Sequence, residues 1–438
     1  MKIKVLALIM SLLLLCTCFV ACNEEEEVVT DDTTTEAPET TDTEAPDTEK
    51  EDDEKTPGGE TPGGETPGGE TPTQTPEEKY ADLYAQGYTY YATKAGIITD
   101  AEAKYILDQD NFKKWYDIQL MGTGFNGQYI LATDVTINEG NAADWANTKP
   151  SIVFKPEAAA WGFSGKFDGN GKTISGVCIT PGTTSGDEAH ISLFGDLNGG
   201  EIKNLRLVNT YIESKAATAT NPVGSFAARM QGANAKISNC YSEAIIKCNT
   251  AYAGGIAGGH VNCTAEPFPV IENCVFAGKI EGNGAIGGIV GGTNNGTLYA
   301  KNCINLGTLV AAANQKTVGG IVGDAAYSWT KTFVENCVNL SKNVPNALAG
   351  EGVAERYAQG LNITSFVMIT DIGVSSALSE NSAAKAVGTA NITNKTLAEF
   401  LDANNKVFAD WTYEAGYIPN PTTHTKIPTS AVSTVPAN

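Results

Sequence analysis

The side chains able to do chemistry in this 438-residue chain are thiols, carboxylates and a few aromatics. Seven cysteines fall in the part that can fold: Cys178, Cys240, Cys248, Cys263, Cys274, Cys303 and Cys337. Seven is odd, so at least one thiol stays unpaired within a monomer. No Cys-x-x-Cys occurs, and His190, His260 and His424 complete the histidines. The paired spacing that builds a zinc site is therefore missing, and neither a metal nor another cofactor is expected. Sugar cleavage needs two carboxylates flanking the scissile bond, or a base with an Arg or Ca²⁺. Asp168, Asp187, Glu188, Glu201, Glu243, Glu272 and Glu281 are scattered, as are Lys203, Arg206 and Arg229, and no motif picks out an acid or a base. No catalytic residue is assigned. Gly169-Asn170-Gly171-Lys172-Thr173 hints at a phosphate loop, but Lys166 stands where the motif needs its first Gly, so a β-turn is expected. Trp161, Tyr327, Trp329 and Phe333 have the chemistry of a sugar-stacking platform. Among them Tyr327 and Trp329 are the candidate ligand-binding pair, because repeat insertions often carry binding.

What must position these groups is a repeat. Gly254-Gly255-Ile256-Ala257-Gly258, Gly287-Gly288-Ile289-Val290-Gly291 and Gly319-Gly320-Ile321-Val322-Gly323 recur at about thirty-residue intervals, each followed by an Asn-Cys pair: Asn273-Cys274, Asn302-Cys303 and Asn336-Cys337. Earlier, less regular units carry Ser225-Phe226-Ala227 with Asn239-Cys240, and Leu193-Phe194-Gly195 with Asn204-Leu205. A period in this range means a solenoid or array. Gly-rich units with short β-branched runs exclude helical repeats, and a propeller blade needs a longer unit. A parallel β-helix of about three short strands per turn fits, with equivalent residues stacked at ~4.8 Å. The glycines are expected to permit tight corners and positive φ, where a Cβ would clash. The asparagines Asn239, Asn273, Asn302 and Asn336 are expected to form an amide ladder. The cysteines beside them read as small buried core residues, with disulfides an open alternative.

These segments resemble the GLUG-motif repeats of bacterial surface proteins, and Phe163-Ser164-Gly165-Lys166-Phe167-Asp168-Gly169-Asn170-Gly171-Lys172-Thr173-Ile174 resembles the stretch that commonly enters such domains. The resemblance covers about 126–340. It implies an all-β fold, a right-handed parallel β-helix solenoid of pectin-lyase-like architecture with short helical caps. It implies no particular activity.

Outside the repeat, Lys2 and Lys4 precede an apolar run that ends at Phe19-Val20-Ala21-Cys22, which resembles a lipobox. Residues 1–21 are read as a lipoprotein signal peptide and Cys22 as the lipidated mature N-terminus. Residues 22–78 form an acidic Thr/Pro/Gly linker with Thr-Pro-Gly-Gly-Glu repeated three times; positions 23–78 hold 21 acidic residues and two lysines. Such a segment is expected to be disordered and extended. The overall charge of −22 thus belongs mostly to the linker, since 79–438 carry 30 acidic and 25 basic residues. No nucleic-acid partner is expected. Residues 79–125 read as an N-terminal entry and capping segment. Thr99 to Glu102 looks like a capping box, and Phe112, Trp115, Tyr116 and Leu120 fall at helical spacing. Residues 126–340 are the β-helix, and 341–420 a C-terminal cap that breaks the repeat, with a strand over Thr364–Thr370 and a helix from Thr396. Residues 421–438 are a flexible tail. Together these features predict an extracytoplasmic protein held to the bacterial membrane by lipid on Cys22 and exposed at the cell surface. It would be a non-catalytic binding or adhesion module for a glycan or surface protein. The alternatives are a polysaccharide lyase or glycoside hydrolase, and a passive spacer.

Overall fold

Short runs of alternating apolar residues, broken by Gly and Asn, wind into a parallel β-solenoid. The computed structural model describes residues 74–341 except 93–97, 120–122, 157–161, 182–189, 216–220, 250–251, 294–295, 312–317, 325–330, 336 and 340, together with short strands between 361 and 428. One turn comprises Glu201–Lys203, Arg206–Val208, Tyr211–Ser214, Val223–Gly224 and Ala227–Gln231, which belong to five different sheets. We number these sheets first to fifth in that order. The next turn begins at Lys236, in parallel register with Glu201. Four complete turns run from Glu201 to Asp324. Each has five strand segments rather than the three the period suggested, because two- to six-residue strands fit more corners into the same length.

Alternation along each strand decides which side chains enter the core. In the first sheet Phe167, Ile202, Ile237, Ile271, Ala300 and Val334 stack in register and are fully buried. Ile256, Ile289 and Ile321 of the Gly-Gly-Ile motifs are likewise buried. The corners divide the expected glycine roles, with positive φ at Gly176, Gly199 and Gly232. Positive φ at the corner after the first sheet is taken by asparagine: Asn204 (55°), Asn239 (53°), Asn273 (53°) and Asn302 (51°). Asparagine tolerates this region better than other side chains. The motif glycines Gly254 and Gly287 serve close approach instead, since a Cβ there would lie 1.8 and 1.9 Å from the carbonyl oxygens of Ala257 and Val290.

The helix Phe112–Gln119 forms as expected and buries Phe112, Trp115 and Tyr116, the Trp115 ring lying 5.0 Å from Tyr129 and 5.6 Å from Phe167. No helix starts at Thr99. The Asp100 carboxylate accepts from the Glu102 amide in a turn, and Lys104–Leu107 joins the first sheet, because Tyr105 and Leu107 fit its pleat better than a helix. A capping box does occur at Thr75 and Glu78, opening the helix Pro76–Lys79. Just after it, the Tyr80 hydroxyl donates to the buried Asp108 carboxylate, and so does Tyr90. Burial and these bonds push both phenols up.

Parallel stacking continues beyond the last Gly-Gly motif. Leu361–Ile363 adds to the first sheet, and Phe366–Ile369 and Ala384–Val387 add to the second. The strand expected over Thr364–Thr370 is thus present, whereas the helix expected from Thr396 lies outside the described residues.

Candidate functional site

The outer face of the first sheet carries two columns of side chains, one strand position apart on either side of the buried row. One column reads Lys166, Glu201, Lys236, Val270, Tyr299 and Phe333; the other reads Asp168, Lys203, Ser238, Glu272, Lys301 and Glu335. Ion pairs cross from turn to turn: Lys203–Asp168 at 3.4 Å, Lys236–Glu272 at 2.7 Å and Lys301–Glu335 at 3.1 Å. Exposed pairs of this kind contribute about 0.2–1 kcal/mol each. Their main effect is to leave the face electrically balanced.

From Val270 onward the first column turns aromatic. Phe268, in the connection just before it, lies 6.3 Å from Tyr299, and Tyr299 stacks on Phe333 at 4.5 Å with the rings 10° apart. The Lys301 ammonium lies 4.9 Å from the Tyr299 ring centre. All three rings are half-buried. Tyr299 and Phe333 lie outside every apolar cluster of the described residues. At the other end of this face, Ile106 and Ile130 are also apolar, but Leu83, Tyr84, Tyr88 and Tyr90 pack over them.

Cys22, Tyr327, Trp329 and Trp161 lie outside the described residues, as do Asp187 and Glu188. Of the predicted platform, Phe333 is placed, and it joins Phe268 and Tyr299, which sequence reasoning missed. The available signal was register: Tyr299 and Phe333 are equivalent positions of successive turns. Among the described residues the scattered carboxylates are engaged separately. Asp168 and Glu272 sit in the ion pairs above, Glu243 accepts from the Tyr241 hydroxyl, and Glu281 is held by Lys247 and Lys279. Burial pushes the Glu281 carboxyl up, but the two lysines outweigh it and hold it below its ordinary value. Among the described residues no group of three or more His, Cys, Asp or Glu side chains is placed to hold a metal ion.

The asparagine ladder is present. The Asn239, Asn273 and Asn302 amides donate to Asn204, Asn239 and Asn273 at 3.1, 3.1 and 3.0 Å. The ladder begins on a carboxylate, since Asn204 donates to Asp168 at 3.0 Å. Asn336 is outside the described residues. A second, buried step joins Asn305 to Asn339 at 2.9 Å. Cys240, Cys274, Cys303 and Cys337 are free, fully buried thiols. Each donates to the carbonyl two residues earlier, at 3.1–3.5 Å. Burial pushes Cys274 and Cys337 well above the ordinary thiol value, Cys178 up to about 11 and Cys248 up to about 12. Such thiols stay protonated at neutral pH and make poor nucleophiles.

No protein-family model matches the chain, and no curated protein matches it. A crystal structure of a "putative immunoglobulin A1 protease" from Bacteroides ovatus is similar, with a TM-score of 0.43 and 18% identity over 76% of this chain and 96% of that one. A likeness of that degree carries no argument about activity. Fold and face together define a parallel β-solenoid with a balanced, ion-paired outer face that ends in an aromatic column.

Proposed function

We propose that this chain is a lipid-anchored, extracytoplasmic β-helix of the GLUG-repeat kind, acting at the bacterial cell surface as a non-catalytic binding module. The observation that carries the binding reading is the column Phe268–Tyr299–Phe333. Large aromatics left half-exposed on an otherwise ion-paired face are a poor use of apolar surface unless something covers them. The Tyr299 and Phe333 rings stack on one another beside a charge-balanced rim. Tyr327 and Trp329 precede in sequence the strand Lys331–Glu335 that carries Phe333, and they remain the candidate ligand-binding pair. The anchor reading rests on the lipobox-like Phe19-Val20-Ala21-Cys22 and the acidic linker after it. The linker supplies reach, and multiple acyl chains on one cysteine give a stable hold.

The test is a retention screen of the full chain against immobilised polysaccharides and surface proteins, with product analysis of each mixture. Retention lost in the Tyr299→Ala/Phe333→Ala double variant supports the reading, and cleavage products contradict it. Anchoring is tested separately by mass. The expected mature chain begins at a lipid-modified Cys22, and Cys22→Ala should abolish both processing and membrane attachment.

A further inference from the structure

Ile106 and Ile130 open the outward column of the first sheet that Asp168 and Lys203 continue. Tyr80, Leu83, Tyr84, Tyr88 and Tyr90 lie over them, in a cluster separate from the main core. The two helices of this cover, Pro76–Lys79 and Ala81–Ala85, bury none of their own residues. Helices of that length do not hold together alone. The cover therefore keeps its shape only while it is seated. One group clasps it. Asp108 is fully buried, and its carboxylate accepts from the Tyr80 hydroxyl at 2.6 Å and the Tyr90 hydroxyl at 2.9 Å. The Asp110 and Asn111 amides donate to the same carboxylate at 3.0 and 3.3 Å, and the Lys79 ammonium lies 3.7 Å away. The Tyr80 and Tyr90 rings stack at 6.3 Å, so both ends of the cover meet over Asp108. Hydrogen bonds to a carboxylate are stronger than neutral ones, and they weaken steeply once misaligned.

The next residue is held quite differently. Tyr91 is fully buried in the main core, edge-on to Tyr105 at 5.5 Å, and its amide donates to the Ile106 carbonyl at 3.2 Å. The acidic linker runs directly into Thr75. A pull on the linker therefore enters the fold at the cover and reaches the solenoid only through Tyr91. Contacts are loaded one after another from Thr75, so each bears the pull in turn. Small units packed apart from the main core open below the global unfolding transition. We propose that residues 75–90 are a tension-released strap. Pulled from the N-terminal side, they peel from Ile106 and Ile130 once the Asp108 clasp breaks. The linker is lengthened while the solenoid beyond Tyr91 stays folded. The mechanics do not involve the aromatic column, and the use of the strap at a cell surface rests on the anchoring reading above.

Optical-tweezers extension of the full chain tests it, pulling between the N-terminus and a bio-orthogonal handle at the exposed Asn283. An early, reversible step should precede any solenoid unfolding, its lengthening bounded by ~3.3–3.6 Å for each of residues 75–90. Tyr80→Phe/Tyr90→Phe removes only the two hydroxyls that reach Asp108. At a fixed force it should release the strap roughly tenfold faster or more, with the later steps unchanged. Without load, native-state hydrogen exchange should show the strap amides opening in an event separate from Glu201–Lys203 and Lys236–Ser238. Neither readout depends on lipid at Cys22 or on Tyr299 and Phe333, so failure of the anchoring or binding reading would leave both standing. Traces with no early step, an early step longer than the strap, release unchanged in the phenylalanine variant, or exchange of strap and solenoid in one event would each overturn the proposal.

Discussion

Along one face of one sheet, neighbouring turns are finished in two different ways. From Lys166 to Ser238 the outward positions are mostly Lys, Asp and Glu, arranged so that each charge meets an opposite one above or below. From Val270 to Phe333 the first column holds an aliphatic residue and two stacked rings, while the second column stays charged with Glu272, Lys301 and Glu335. Behind both halves the inward row is the same kind of apolar stack, from Phe167 to Val334, and the asparagine ladder runs from Asn204 to Asn302 at the corner. Stability is therefore supplied by elements common to both halves. The difference lies in what the first column presents outward.

The shared elements are where substitutions should cost most. Ile271→Ala removes a fully buried side chain behind the boundary between the two halves. Cavity formation of this kind costs about 2–5 kcal/mol, and a large drop in the urea midpoint is expected. Asn273→Ala should come next, at about 1–3 kcal/mol, since it breaks two ladder bonds and puts a Cβ-bearing residue at a φ of 53° without its compensating amide. Asn273→Gly should cost less than Asn273→Ala, because glycine restores the backbone conformation though not the bonds. If the two variants melt together, the amides rather than the conformation dominate the corner.

Substitutions on the face should separate function from stability. Tyr299→Ala is expected to cost about 0.5–1.5 kcal/mol for the lost stacking while removing ligand retention. Lys236→Gln, in the charged half, should change stability by less than about 1 kcal/mol and leave retention unchanged. The smallest effect is pH-dependent. Lys279 and Lys247 hold the Glu281 carboxyl below its ordinary value, so its contribution is present above the unfolded carboxylate range and is lost as pH falls through the folded value. Melting curves of the native chain and Glu281→Gln should therefore converge as the pH is lowered below that range.

Much of the architecture was readable from residues alone. The recurrence of Gly-Gly-Ile-x-Gly ahead of Asn-Cys announces a solenoid, and the amide ladder and buried thiols follow from stacking identical residues. What was not legible is how the corner roles divide, because sequence does not distinguish a glycine needed for positive φ, as at Gly199, from one needed for closeness, as at Gly254. The Thr99–Glu102 segment failed as a helix start because pairing with the first sheet outweighs a local cap. Tyr299 and Phe268 were invisible because the turn between Val270 and Tyr299 is shorter than its neighbours, so equivalence had to be seen in register.

The most direct test of the aromatic column as the contact surface is a side-by-side retention measurement. The native chain, Tyr299→Ala/Phe333→Ala and Lys203→Gln/Lys236→Gln would be passed over the same polysaccharide and surface-protein panel, with melting curves confirming that all three are folded. The column account predicts that whatever the native chain retains is kept by the lysine variant and lost by the aromatic one. Equal retention by the native chain and the aromatic variant, or no retention of any panel member by the native chain, would contradict it.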